Sequence, residues 1–174
     1  MCGNRRNLSE STRNPLIISI GVGLLLLLSG PASPGEAKKY EVTVERNVAA
    51  KMRDGLTLRA DVYRPKAEGK FPVLLVRTPY DKQWSAEFAL RAVPRGYVVI
   101  AQDVRGRFES EGEWYPFKNE SLDGYDTVEW AAGLPYSNGK VGMFGGSYVG
   151  ATQFLAAIAR PPHLDVFNDQ HLQV

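Results

Sequence analysis

The sequence predicts an α/β fold, and three observations carry that prediction. Three short apolar runs, Phe71–Val76, Tyr97–Ala101 and Lys140–Phe144, have the β-branched enrichment and length of strands buried on both faces. Stretches with helical spacing lie between and after them. A pair of alternating runs around an Asp-Gly turn precedes them. The order is therefore a β-hairpin followed by β-α-β-α-β-α, which builds a parallel sheet with right-handed crossovers.

The hairpin comes first. Tyr40–Val48 alternates loosely, with Val42 and Val44 on one face, and Leu56–Tyr63 alternates again. Arg53-Asp54-Gly55 between them is a turn signal. Pro65–Lys70 reads as a loop before the first buried strand. Trp84–Val93 places Trp84, Phe88 and Leu90–Arg91 at helical spacing and is closed by Pro94 and Gly96. Ser121–Leu134 sets Leu122, Tyr125, Val128 and Ala132 on one stripe, with Asp123 and Asp126 near its positive end. Asn138-Gly139 reads as a turn opening the third strand. Tyr148–Ile158 is apolar and alanine-rich and ends before Pro161-Pro162.

Composition narrows the function classes. The 174 residues carry 21 Lys and Arg against 19 Asp and Glu, with no basic block, so electrostatic binding of nucleic acid has no support. Cys2 is the single cysteine, so neither a disulfide framework nor a Cys-rich metal site is expected. No cofactor motif appears either. Arg5, Arg6 and Arg13 precede an apolar run from Leu16 to Leu28, and small residues from Ser29 to Gly35 follow it. That pattern predicts a signal peptide over residues 1–37, with cleavage after Ala32 or Ala37; an anchor over residues 15–31 is the alternative. Residues 38–174 are then the folded part, exported to the periplasm or the cell exterior.

The chemistry concentrates at one turn. In Phe144-Gly145-Gly146-Ser147-Tyr148-Val149-Gly150 a serine stands between a buried strand and a helix. A serine nucleophile needs a tight turn to expose its Oγ, small neighbours at the turn, and a helix N-terminus to donate N–H groups to an oxyanion. The second glycine falls one position later than in G-x-S-x-G, at Gly150, so a glycine-rich turn that only packs tightly is the competing reading. A phosphate-binding loop is excluded, because the Lys-Ser/Thr of a P-loop and the G-x-G-x-x-G spacing are both missing. The loop after the first buried strand, Thr78-Pro79-Tyr80-Asp81-Lys82, is where a second oxyanion donor is delivered in such folds. Tyr80 can supply a hydroxyl there, or its ring can pack under the loop. A triad also needs a base and an acid. The two histidines, His163 and His171, follow the nucleophile helix, and neither sits where a strand-end loop would deliver a base.

Several separate segments resemble one family. Met52-Arg53-Asp54-Gly55 with Ala60–Pro65, Val76–Lys82, Gln102–Gly112, Asp123–Thr127, Trp130 and Ser137–Met143 are similar to the X-Pro dipeptidyl-peptidase-like, cocaine esterase-type α/β-hydrolases. The elbow of that family reads G-x-S-Y-x-G, which Gly145–Gly150 fits. The resemblance implies a serine hydrolase of esters, amides or peptides working through an acyl-enzyme on Ser147. It implies an oxyanion hole from the Tyr80 hydroxyl and the Tyr148 N–H, and loop-holding roles for Asp103, Arg105 and Arg107. It runs from about Tyr40 to Leu164, after which Asp165–Val174 reads as a polar tail. The family carries its acid and histidine on later strands, with a helical cap and a C-terminal jelly-roll domain. The chain is therefore expected to be the N-terminal portion of an α/β-hydrolase domain, truncated before the triad is complete. A catalytically inactive remnant and a membrane-anchored binding module are the alternatives. The implied partner is a small ester, amide or peptide, with no cofactor.

Overall fold

The computed structural model describes residues 39–168, so the predicted leader and His171 lie outside the described residues. The hairpin is present. β1 (Val42–Lys51) and β2 (Thr57–Pro65) pair antiparallel. Gly55 takes the turn at φ 91, and the Met52 N–H donates to Leu56 O at 2.8 Å. β2 pairs antiparallel with β4 (Val98–Asp103). From there β4, β3 (Phe71–Thr78), β5 (Ser137–Phe144) and β6 (Leu164–Asn168) run parallel, giving the six-stranded order β1-β2-β4-β3-β5-β6.

Every residue of β4 is buried, as a strand covered on both faces must be. On one face α2 (Glu120–Ala132) and α3 (Tyr148–Ile158) bring Val128, Ala131 and Ala156 against Val73, Leu75, Val98, Ile100 and Val141. On the other, α1 (Ala86–Ala92) lays Ala89 and Ala92 over Tyr63 and Val99, and Phe88 stacks on Phe144 at 4.3 Å between centroids. Each fully buried Val, Leu or Ile side chain of this set contributes about 1.5–3 kcal/mol of transfer free energy. The two helices on the first face approach closely because Gly124 has no side chain. A Cβ there would stand 2.6 Å from that of Ala156.

Three details differ from the sequence reading. The stretch from Trp84 to Val93 is not one helix: Lys82–Ser85 and Val93–Arg95 are 3-10 turns at either end of α1. Asn138-Gly139 does not precede a strand; it lies inside β5 as an irregularity, where the pairing jumps from Phe71↔Ser137 to Val73↔Val141 and Gly139 takes φ 84. Asn138 Oδ1 and Ser137 Oγ accept the Lys140 and Gly139 N–H groups there, replacing ladder bonds. Residues Asp165–Asn168, read as the start of a tail, belong instead to β6, which begins at Leu164. The sequence Leu164-Asp165-Val166-Phe167-Asn168 is too short to announce a strand, and β5 supplies the register that makes it one.

Candidate active site

The parallel strands release three loops at one end of the sheet, the position where open α/β sheets bind ligands. Each loop brings a sequence-predicted residue or its support. After β5 comes the serine turn. Ser147 is exposed and sits at φ 61, ψ −130, a conformation that non-glycine residues rarely occupy, and its side chain does not cap the helix that follows. Its carbonyl accepts the Ala151 N–H at 3.1 Å, so α3 starts directly behind it. Tyr148, at the first position of α3, has no intrahelical acceptor for its N–H. Gly145 is required by geometry. It takes φ 120, and a Cβ would lie 2.5 Å from Val149 Cγ1. Gly150 is buried in the first turn of α3, and Gly146 lies half-buried beside the serine.

After β3 comes the Tyr80 loop. Tyr80 is 57% exposed, so its ring does not pack under the loop; it stands edge-on to Tyr148 with centroids 6.4 Å apart. Its N–H donates to Thr78 Oγ1 at 3.0 Å, which leaves the hydroxyl as the group this residue can offer a ligand. The loop is held from below. Lys82, 3% exposed, donates through Nζ to Asp103 Oδ2 at 2.8 Å and through its N–H to Asp103 Oδ1 at 2.9 Å. Arg107 Nε donates to Pro79 O at 3.0 Å, and the Val104 N–H to Thr78 O at 3.1 Å.

After β4 comes the segment leading to α2. Arg105 donates to both Asp123 oxygens, at 2.9 and 2.5 Å, and to Asp54 Oδ2 at 2.6 Å. That contact with Arg105 is the main cause holding the Asp54 carboxyl below its ordinary range, and the Asp123 contact is the main cause raising the guanidinium. Arg53 Nη2 meets Asp126 Oδ1 at 2.6 Å, so the hairpin turn is fastened to α2 twice. Asp103, Arg105 and Arg107 thus hold loops, as the resemblance implies.

The histidine within the described residues is not part of this arrangement. His163 O accepts the Val141 N–H, which puts His163 at the opposite end of the parallel strands from Ser147, roughly 10 Å or more away along β5. Its Nδ1 lies 2.8 Å from Glu129 Oε2, and its side chain is 49% exposed. Among the described residues no group of three metal-ligating side chains could hold an ion.

Two supports escaped the sequence reading. Gln153, fully buried on the alanine-rich helix, donates through Nε2 to Gly145 O at 2.7 Å and to Val149 O at 3.2 Å, tying the turn to its helix. Its only sequence signal is a polar residue on an apolar face, four positions after Val149. Glu120, 4% exposed, accepts from the Tyr148 hydroxyl at 3.0 Å and from Arg77 Nη1 at 2.7 Å.

The model of the X-Pro dipeptidyl-peptidase (S15) family matches residues 54–170. The chain belongs to that family. The match continues past Leu164, where the recognisable motifs stop, and takes in β6. Among relatives of the family, the cocaine esterase of Rhodococcus sp. (strain MB1 Bresler) is 47% identical over 123 residues, 67% of this chain and 21% of the esterase. A CocE/NonD family hydrolase from Staphylococcus aureus superposes with a TM-score of 0.67 at 34% identity, covering 73% of this chain and 27% of that one. An α-amino acid ester hydrolase gives a TM-score of 0.64 at 28% identity over 83% of this chain and 28% of the hydrolase. The chain therefore spans about a fifth of the esterase's length and just over a quarter of these two solved structures. The α/β-hydrolase character of the sheet and the hydrolytic character of the family follow from these matches.

Proposed function

We propose that these residues form the nucleophile side of a serine hydrolase that cleaves esters, amides or peptides through an acyl-enzyme. One observation carries the reading: Ser147 stands exposed, at φ 61, ψ −130, between a buried strand and the N-terminus of α3. A strained turn of this kind presents Oγ to a ligand and aims helix N–H groups at the same space. In the proposed reaction Oγ attacks the substrate carbonyl, and its proton passes to a base. A C–O bond forms to the serine as the carbonyl oxygen takes the negative charge. The Tyr80 hydroxyl and the Tyr148 N–H are the donors suited to that oxygen. The leaving group departs with the proton, and water then repeats the sequence to free the acid and restore the serine. Base and acid fall to residues outside the described set, since His163 faces the other end of the sheet. The positive start and apolar run within residues 1–37 support export of the enzyme.

A fluorophosphonate probe tests the reading on the full-length gene product. Labelling is expected in the wild type and absent in Ser147→Ala. Tyr80→Phe should slow it by about 10²–10³, the usual effect of deleting one oxyanion donor. Equal labelling of wild type and Ser147→Ala would sink the assignment. His163→Ala is expected to label at the wild-type rate, and a loss of labelling there would move the base to His163.

A further inference from the structure

The side chain of Tyr148 is held more firmly than a residue whose main chain alone is used would require. Its hydroxyl donates to Glu120 Oε1 at 3.0 Å and accepts the Phe117 N–H at 3.1 Å. Its ring stacks on Phe117, with centroids 4.4 Å apart and planes 22° from parallel. Glu120 is buried, and its second oxygen takes Arg77 Nη1 at 2.7 Å. Arg77 is fully buried, donates through Nε to Gln102 Oε1 at 2.8 Å and through Nη1 also to Glu120 O at 3.2 Å, and sits on β3, the strand that leads into the Tyr80 loop. Phe117 takes φ 65, a left-handed conformation that a bulky residue keeps only where its surroundings over-determine it.

Burying a carboxylate and a guanidinium together is a poor way to stabilise a core, because two charges lose their water. Here the pair reaches from the sheet to one phenol beside the exposed serine. The Tyr148 N–H is displaced whenever the Tyr148 Cα shifts at the first turn of α3. A ring anchored at its far end by Glu120 and along its face by Phe117 resists that movement. We infer that Glu120, braced by Arg77, and Phe117 are positioning residues that fix the Tyr148 main-chain N–H in its oxyanion-binding direction. The inference rests on the reading of Ser147 as nucleophile. Burial, opposed by the Phe117 N–H and reinforced by the Glu120 charge, holds the Tyr148 phenol above its ordinary range. The hydroxyl therefore stays protonated at neutral pH and keeps its donor bond to Glu120.

Tyr148→Phe isolates the hydroxyl, since it keeps the ring, the stack on Phe117 and the Arg77–Glu120 pair. Glu120→Gln removes the charge and disturbs Arg77 as well, so it serves as the second variant where it folds. Both are made in the full-length gene product and reacted with a fluorophosphonate across a range of concentrations. The expected result for Tyr148→Phe is a saturating labelling rate about 10-fold lower, with the half-saturating concentration unchanged, as small misplacements of a reacting group produce. A role confined to stability would instead leave that rate at the wild-type value in the folded fraction. A wild type that labels, with a Tyr148→Phe variant that labels equally fast, overturns the inference and leaves Ser147 in place. A wild type that labels no faster than Ser147→Ala overturns both.

Discussion

Asp103→Ala is expected to lower the unfolding free energy by about 3–5 kcal/mol, because it strands a buried ammonium. Lys82 is 3% exposed and Asp103 not at all, and Asp103 is the acidic partner of the Lys82 ammonium. Alanine removes two acceptors together, the one facing Nζ and the one facing the Lys82 N–H. Urea unfolding reads the change as a lower midpoint at unchanged slope. The double replacement Lys82→Met with Asp103→Leu substitutes apolar groups of similar size for both charges, which removes the electrostatic penalty. It does not restore an acceptor for the Lys82 N–H, worth about 1–3 kcal/mol when left buried and unmade. Recovery should therefore be partial, and full recovery would show that the amide finds another partner. The same pair has a catalytic consequence. Lys82 lies two residues after Tyr80, so the double variant is expected to regain part of its stability while its labelling at Ser147 stays slow.

The buried strands of the sheet were legible because their signal is local. Val73–Val76 and Val98–Ala101 are continuous apolar runs bounded by turns, and both lie in the sheet as read, with α1 on one face and α2 and α3 on the other. The serine turn was legible for the same reason: Gly145, Gly146 and Ser147 are neighbours in the chain, and the strand before them is apolar. The supports were not, because they depend on pairs far apart in sequence. Nothing near Glu120 marks it as the acceptor of a tyrosine hydroxyl 28 residues later. Asp103 and Lys82 are separated by 21 residues and meet only because β4 runs parallel to β3, with Asp103 opposite Thr78. β6 is the extreme case. Its residues acquire strand geometry from the edge of β5, and a pentapeptide, even one holding Val166 and Phe167, is too short to announce a strand unpaired.

Gly145→Ala is expected to destabilise the domain by about 2–5 kcal/mol, from a side chain forced into a positive-φ position and into an occupied space. At φ 120 the added Cβ would stand 2.5 Å from Val149 Cγ1 and 3.2 Å from Val149 Cβ. Val149 has little room to retreat, being 2% exposed and packed with Val76 and Ala101. The two contributions separate in a double-mutant cycle. Val149→Ala removes the nearer clashing atom but leaves the backbone conformation unchanged, so the double variant should be less destabilised than the sum of the single changes by about 1–3 kcal/mol. A coupling near zero would mean that the turn relaxes away from α3 and the close contact is not maintained. Function gives the sharper readout. Gly145 O is the acceptor of the Gln153 amide at 2.7 Å, and Ser147 follows two residues later. A displaced carbonyl therefore loses the bond that fixes the turn to its helix, and the serine moves with it. Labelling in the double variant should stay well below wild type even where unfolding shows the clash relieved, because the backbone at Gly145, and not the packing of Val149, sets the direction of the serine.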